Sequence, residues 1–104
     1  MKKFIGGRWF SWDEDKAKLN WQKHGLRFET AAKVFQDENH LTIPDEKHSQ
    51  EEECFATIGR VHKVLFVVHT QQYGYEGEYT RLISARIATP EEVKYYGNRA
   101  LLFS

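Results

Sequence analysis

The chain has 104 residues, 15 of them Lys or Arg and 15 Asp or Glu, with a single cysteine. One domain over residues 1–104 is expected, large enough to bury roughly two thirds of the surface of its unfolded chain. The lone Cys54 excludes an internal disulfide and a cysteine-based zinc cluster and suits a reducing cytoplasm, and no apolar run nears the roughly 20 residues of a membrane span. Lys2-Lys3 lacks the apolar stretch of a signal peptide behind it, so export is not expected. Charge is unevenly spread: residues 1–35 hold eight Lys/Arg against four Asp/Glu, residues 36–59 one against seven, and residues 60–104 six against four. A positive face arises if folding joins the two basic segments.

In chain order, Asp13 is placed as the N-cap and Gly25 as the left-handed stop of a helix of about ten residues. Phe28, Ala31, Ala32 and Phe35 recur at spacings of three and four, predicting a second helix from near Glu29 to Phe35. The sequence "HLTIP" then predicts a short strand, and "DEKHSQEEE" is too charged to be buried. Three β-rich runs follow, "CFATIGR", "VLFVVHT" and "EYTRLISARIA", joined by "VHK" and by "QQYGYEG". Connections that short hold no crossover helix, so an antiparallel meander is predicted. In "TPEEVKYYGN", Thr89 is the N-cap, Pro90 takes the first helical position, Glu92 completes a capping box and Gly97-Asn98 ends the helix. The apolar tail "RALLFS" forms an edge strand, packs on the core or meets a partner. The order β, α, α, β, β, β, β, α predicts an α+β domain, with two N-terminal helices packed on one face of an antiparallel sheet and a short C-terminal helix. The other face becomes the expected working surface.

On the first helix, Lys23, Lys16, Asn20, His24, Ala17 and Trp21 share one arc. Ala17 and Trp21 are the expected sheet contacts, whereas Asn20 and His24 must either brace structure or face a polar site. His24 can also bond the helix's terminal carbonyls.

Taken together, "FSWDEDKAKLNWQKHG", "FETAAKVFQD", "PDEKHSQEEECFATIGR" and "RLISARIATPEE" resemble the BrnT family of type II toxins. The resemblance rests on Trp12-Asp13, Lys23-His24-Gly25, Phe28-Glu29-x-Ala31, His48-Ser49, Ile58-Gly59-Arg60, Ile83-Ser84-Ala85-Arg86 and Ala88-Thr89, and covers about residues 10–96. It implies a RelE-like ribonuclease fold, cleavage of RNA that slows translation, and neutralisation by a BrnA-like ribbon-helix-helix antitoxin that carries the complex to promoter DNA. Cys54 departs from the basic residue often found before the Phe of its strand, and "QQYGYEGEY" looks long and aromatic.

Metal-independent RNA cleavage needs removal of the 2′-hydroxyl proton, stabilisation of a charged phosphorane and protonation of the leaving 5′-oxygen. Imidazole suits the proton transfers and guanidinium the phosphate. His24 and Lys23 are therefore the leading catalytic pair, with Arg81 and Arg86 at the phosphate. Arg60, His48 and Trp12 are the RNA-binding candidates, and His48 is the reserve acid or base. Arg81 and Arg86, five residues apart, fall on opposite strand faces unless a bulge intervenes. Either one instead forms a structural pair with a carboxylate such as Glu52 or Glu53, Arg60 is alternatively an exposed hairpin residue, and Trp12 a core anchor. His40, His62 and His69 read as solvated or satisfied locally. No metal-ligand motif and no cofactor motif is present, so no metal and no cofactor are expected. The alternatives to an RNA-cleaving toxin are an inactive toxin-like co-repressor and a stand-alone RNA-binding domain.

Overall fold

The computed structural model describes residues 2–47 and 52–103. It is a mixed α+β structure with one six-stranded sheet. The elements are β1 (Lys2–Ile5), β2 (Arg8–Ser11), α1 (Glu14–His24), α2 (Phe28–Ala31) with a 3₁₀ turn (Ala32–Gln36), β3 (Leu41–Pro44), β4 (Phe55–Val61), β5 (Lys63–Gly74), β6 (Gly77–Ile87) and α3 (Pro90–Phe103).

The sheet order is β1-β2-β6-β5-β4-β3. The expected meander of β4, β5 and β6 is present and antiparallel, but β2 pairs with β6 in parallel through Phe10↔Thr80 and Ser11↔Arg81. The β1–β2 hairpin turns through Gly6 and Gly7 at φ 58 and 84, the left-handed pair that a two-residue hairpin turn requires. The region "QQYGYEG" is mostly strand: β5 and β6 stay paired out to Gly74↔Gly77, leaving only Tyr75 and Glu76 as the turn. Helix α3 passes through Gly97 and Asn98 instead of stopping there. Gly97 is not left-handed, so it cannot act as a C-cap, and the Arg, Ala and Leu residues behind it favour helix.

Two apolar clusters fix the layers. Phe28, Ala31, Ala32 and Val34 pack with Phe10, Leu65, Val67, Leu82 and Ala85. The second cluster joins Leu41, Ile58 and Val64 to Ala88 and Tyr96. Thr57↔Val67↔Ala85 form one cross-strand rung and Leu41↔Ile58↔Phe66↔Arg86 the next, so by strand alternation the two clusters lie on opposite faces. Gly59 is where the 3₁₀ turn touches the sheet. A Cβ there would sit 2.8 Å from the Val34 carbonyl oxygen, which explains the glycine of Ile58-Gly59-Arg60.

Helix α1 is capped as expected. Asp13 Oδ1 accepts from the amides of Asp15 (2.8 Å) and Lys16 (3.3 Å), and Gly25 is left-handed at φ 64. Its contact residue differs from expectation: Trp21 is 48% exposed and packs under Arg27, whose Cζ lies 4.5 Å from the ring centroid, whereas Asn20 is 5% exposed. Asn20 Nδ2 donates to the Leu26 carbonyl (3.0 Å), and its Oδ1 accepts from the Ala85 amide (2.9 Å). Pairing of β2 with β6 ends at Ser11↔Arg81, so the amides farther along that edge need another partner, and Asn20 supplies it for Ala85.

Replacing Asn20 by Ala orphans both groups, each worth about 1–3 kcal/mol. Asn20→Ala should therefore lower unfolding free energy by about 2–4 kcal/mol in urea titrations, whereas Lys18→Ala on the exposed face should change it little.

Candidate functional site

Strand β6 carries one residue more than β5 between the pairs Val68↔Ser84 and His69↔Leu82, so Ile83 is the extra residue of a β-bulge. The bulge resets the alternation. Arg81 stands opposite Thr70 and Arg86 opposite Phe66, four residues apart on an unbulged β5, so the two arginines share a face. Arg60, paired with Val64, is on that face as well. The opposite-face placement expected for Arg81 and Arg86 is thus corrected by the bulge.

Their surroundings separate them. Arg86 grips Glu92 with Nη1 at 2.7 Å and Nη2 at 2.9 Å, and its Cζ lies 4.2 Å over the Phe66 ring. The same carboxylate accepts from the Thr89 amide while Thr89 Oγ1 accepts from the Glu92 amide, completing the predicted capping box. Arg86 therefore has the structural carboxylate partner foreseen for one arginine, but that partner is Glu92 and not Glu52 or Glu53. Glu52 accepts from Gln72 Nε2 at 2.7 Å, and Gln72 also donates to Thr70 Oγ1 at 2.9 Å.

Arg81 is half-buried and makes no hydrogen bond or ion pair among the described residues. It lies in a rung across four strands, Lys2–Ser11–Arg81–Thr70. Ser11 Oγ is buried with no hydrogen-bond partner among the described residues, and Lys2 Nζ sits 4.1 Å over the Tyr79 ring. Cations and hydroxyls alternate along this rung, and the Arg81 guanidinium, unpaired among the described residues, can donate in pairs, an arrangement suited to a phosphodiester. Sequence reasoning found Arg81 but missed Ser11 and Thr70. Their signal is the cross-strand register, which a single sequence does not print.

Arg60 is exposed near Asp37. The Asp37 carboxylate accepts from the Tyr96 hydroxyl and from the amides of Arg60 (2.8 Å) and Asn39 (2.9 Å), fastening α3 and the end of β4 to the loop between the 3₁₀ turn and β3. Burial pushes the Asp37 pKa upward, but these donors, Tyr96 foremost, outweigh it and hold the group below its usual 3.8. Burial, followed by the bond to Asp37, raises the Tyr96 hydroxyl, and the Arg60 guanidinium opposes that rise.

Lys23 and His24 stand in the last turn of α1. Both are exposed, while Ala17 of the same helix packs on the Phe10–Phe28 cluster and Asn20 fastens it to the edge of β6. Trp12 also belongs to that cluster, edge-on to Phe28 at 5.8 Å and under Lys3 Nζ at 4.8 Å. His48 lies outside the described residues. His62 is the exposed left-handed turn residue of β4–β5 at φ 63, and His40 Nδ1 is 2.7 Å from the Asp37 carbonyl. His69 is neither solvated nor fully satisfied: it is 2% exposed, with Nδ1 lacking a partner among the described residues. Among the described residues, no three His, Cys, Asp or Glu side chains gather as a metal site.

Residues 12–92 match the family described as "Ribonuclease toxin, BrnT, of type II toxin-antitoxin system". The chain belongs to the BrnT family. That segment is well over half of the sequence and runs from Trp12 to Glu92, the carboxylate held by Arg86. No curated protein matches the chain. Among the described residues, no helix is long and apolar enough to cross a membrane. A BrnT-family toxin acts on RNA as a ribonuclease and belongs with an antitoxin. The Arg81 guanidinium, unpaired among the described residues, is consistent with the first of these properties.

The Asp37 brace has a pH signature. Its folded pKa lies below the unfolded 3.8, so the unfolded chain binds the proton more tightly and the stabilisation, complete above 3.8, is lost as pH falls through the folded value. Asp37→Asn should be less stable than the parent at pH 7, with the gap closing below about pH 4, as read from urea midpoints at both pH values.

Proposed function

We propose that the chain is a RelE-like, metal-independent endoribonuclease that cleaves RNA on the sheet face carrying Arg81, without use of a cofactor, and thereby inhibits translation in the cytoplasm. The observation that carries this reading is the half-buried Arg81, without a partner among the described residues, in the Lys2–Ser11–Arg81–Thr70 rung. In the reaction, the ribose 2′-oxygen attacks the adjacent phosphorus and the bond from phosphorus to the 5′-oxygen breaks. The products are a 2′,3′-cyclic phosphate and a 5′-hydroxyl, and a proton passes from the 2′-oxygen to a base while another is delivered to the 5′-oxygen. Arg81 donates to the non-bridging oxygens as charge builds, with the Ser11 hydroxyl as a second donor.

Arg86 and Arg60 grip other phosphates of the strand. The Arg81 and Arg86 rungs are about 13 Å apart along β5, too far to clamp one group. His24, with Lys23 beside it, takes the proton-transfer role on the chemistry of imidazole, with His48 as the reserve acid or base. Trp12 contacts RNA. The antitoxin is a BrnA-like ribbon-helix-helix protein, and the complex binds promoter DNA through it.

The test is incubation of purified protein with RNA in EDTA. Arg81→Ala should lose at least about 100-fold in cleavage rate while keeping its fold. His24→Ala should also be severely impaired; unchanged cleavage there moves the proton transfer to His48. Products should end in 2′,3′-cyclic phosphate. Full activity of a folded Arg81→Ala variant, or products with 5′-phosphate ends, overturns the reading. A wild-type chain that leaves RNA intact but binds promoter DNA with its antitoxin would instead be a co-repressor.

A further inference from the structure

On the face opposite Arg81, a cavity of about 220 Å³ opens beside the 3₁₀ turn, lined among others by Arg8, Phe35, Thr42, Phe55 and His69. That volume is below the roughly 300–1,000 Å³ of common small-molecule sites, leaving room for a single ring system. Its walls are aromatic: Phe35 meets the His69 ring edge-on at 5.1 Å, and Phe55 lies in stacked orientation at 6.0 Å. Its mouth is cationic, with exposed Arg8 held over Phe35 at 4.3 Å.

His69 is the informative group. It is 2% exposed, and Nε2 lies 2.7 Å from Thr57 Oγ1, which is itself 2.7 Å from Thr42 Oγ1 at the cavity edge. Thr57 is thus occupied on both sides, and the neighbouring Gln71 amide is engaged by Glu78 and Thr80, which leaves buried Nδ1 without a well-aligned partner among the described residues. Burial, followed by the Arg8 charge, pushes the ring down to about 4 with Gln71 opposing, so at pH 7 the imidazole is neutral and offers a hydrogen bond, not a charge. An unpaired buried nitrogen is costly unless a ligand group meets it.

We propose that this cavity is a nucleotide site distinct from the cleavage face: a single nucleobase inserts between Phe35 and Phe55, presents its polar edge to His69 Nδ1 and the Thr42 hydroxyl, and places its phosphate on Arg8. A flat π-system with a hydrogen-bonding edge and an attached anion satisfies walls, floor and mouth together. An aromatic amino-acid side chain lacks the anion, and a bare phosphate leaves the rings and Nδ1 unmet. The ligand is either a free mononucleotide or one residue of an RNA strand, since both present this chemistry.

The test titrates the full chain, isotopically labelled, with each of the four nucleoside 5′-monophosphates while following His69 and Phe55 resonances by NMR. At least one nucleotide should move both saturably. Removing the phosphate, or changing Arg8→Gln, should weaken binding about tenfold, and ribose 5-phosphate should leave the His69 ring unmoved. A short single-stranded RNA that shifts the same resonances assigns the site to an RNA strand; response to mononucleotides alone assigns it to a free nucleotide. No response to any nucleotide at millimolar concentration, or an equal response to N-acetyltyrosinamide, overturns the proposal. Arg81→Ala should bind nucleotide normally, so loss of the cleavage reading and loss of this one are separable outcomes.

Discussion

A single inserted residue determines how this sheet presents its charge. With Ile83 accommodated as a bulge, Leu82 and Ala85 both remain in the apolar cluster under α2 while Arg81 and Arg86 both turn to the other side. Without it, one of those four side chains would be misplaced: either a guanidinium would enter the Phe10–Phe28 core or an apolar residue would replace an arginine on the open face. Burying an unpaired guanidinium is prohibitively costly, so the bulge reconciles two demands that a regular strand cannot meet together. The three strand arginines thus become one surface, graded from exposed Arg60, through ion-paired Arg86, to half-buried Arg81.

Polar side chains brace the structure at its seams. Asn20 fastens α1 to the unpaired edge of β6, Asp37 fastens α3 and β4 to the loop ahead of β3, and Glu92 ties the end of β6 to the start of α3. Each brace satisfies backbone or side-chain donors where secondary structure ends and the regular ladder no longer provides partners. This accounts for the asparagine on the inward face of the first helix. The neighbouring His24 has no such duty and remains in solvent, a difference between two residues of the same arc that depends on where the edge amide of Ala85 falls.

Local signals in the sequence read well because their physics is local. The Asp13 and Gly25 caps, the Thr89–Glu92 box and the β4–β6 meander all follow from residues within a few positions of each other. The family motifs also gave the correct assignment. What did not follow was anything set by pairing between distant segments: the parallel docking of β2 on β6, the burial of Asn20 in place of Trp21, the bulge, and the meeting of Ser11 with Arg81 and Thr70. His69 illustrates the same limit, since a histidine in an alternating strand is indistinguishable from its neighbours until Phe35 and Phe55 close around it.

The β1–β2 hairpin lies ahead of the family-matched segment 12–92 and is joined to β6 by two register pairs, yet it gives Ser11 to one face, and Arg8 and the core residue Phe10 to the other. It works as a clasp. Peeling these ten or so residues away would disassemble both surfaces in one movement and bare the β6 backbone at Thr80 and Arg81 as an unoccupied edge, ready to accept a strand from another chain.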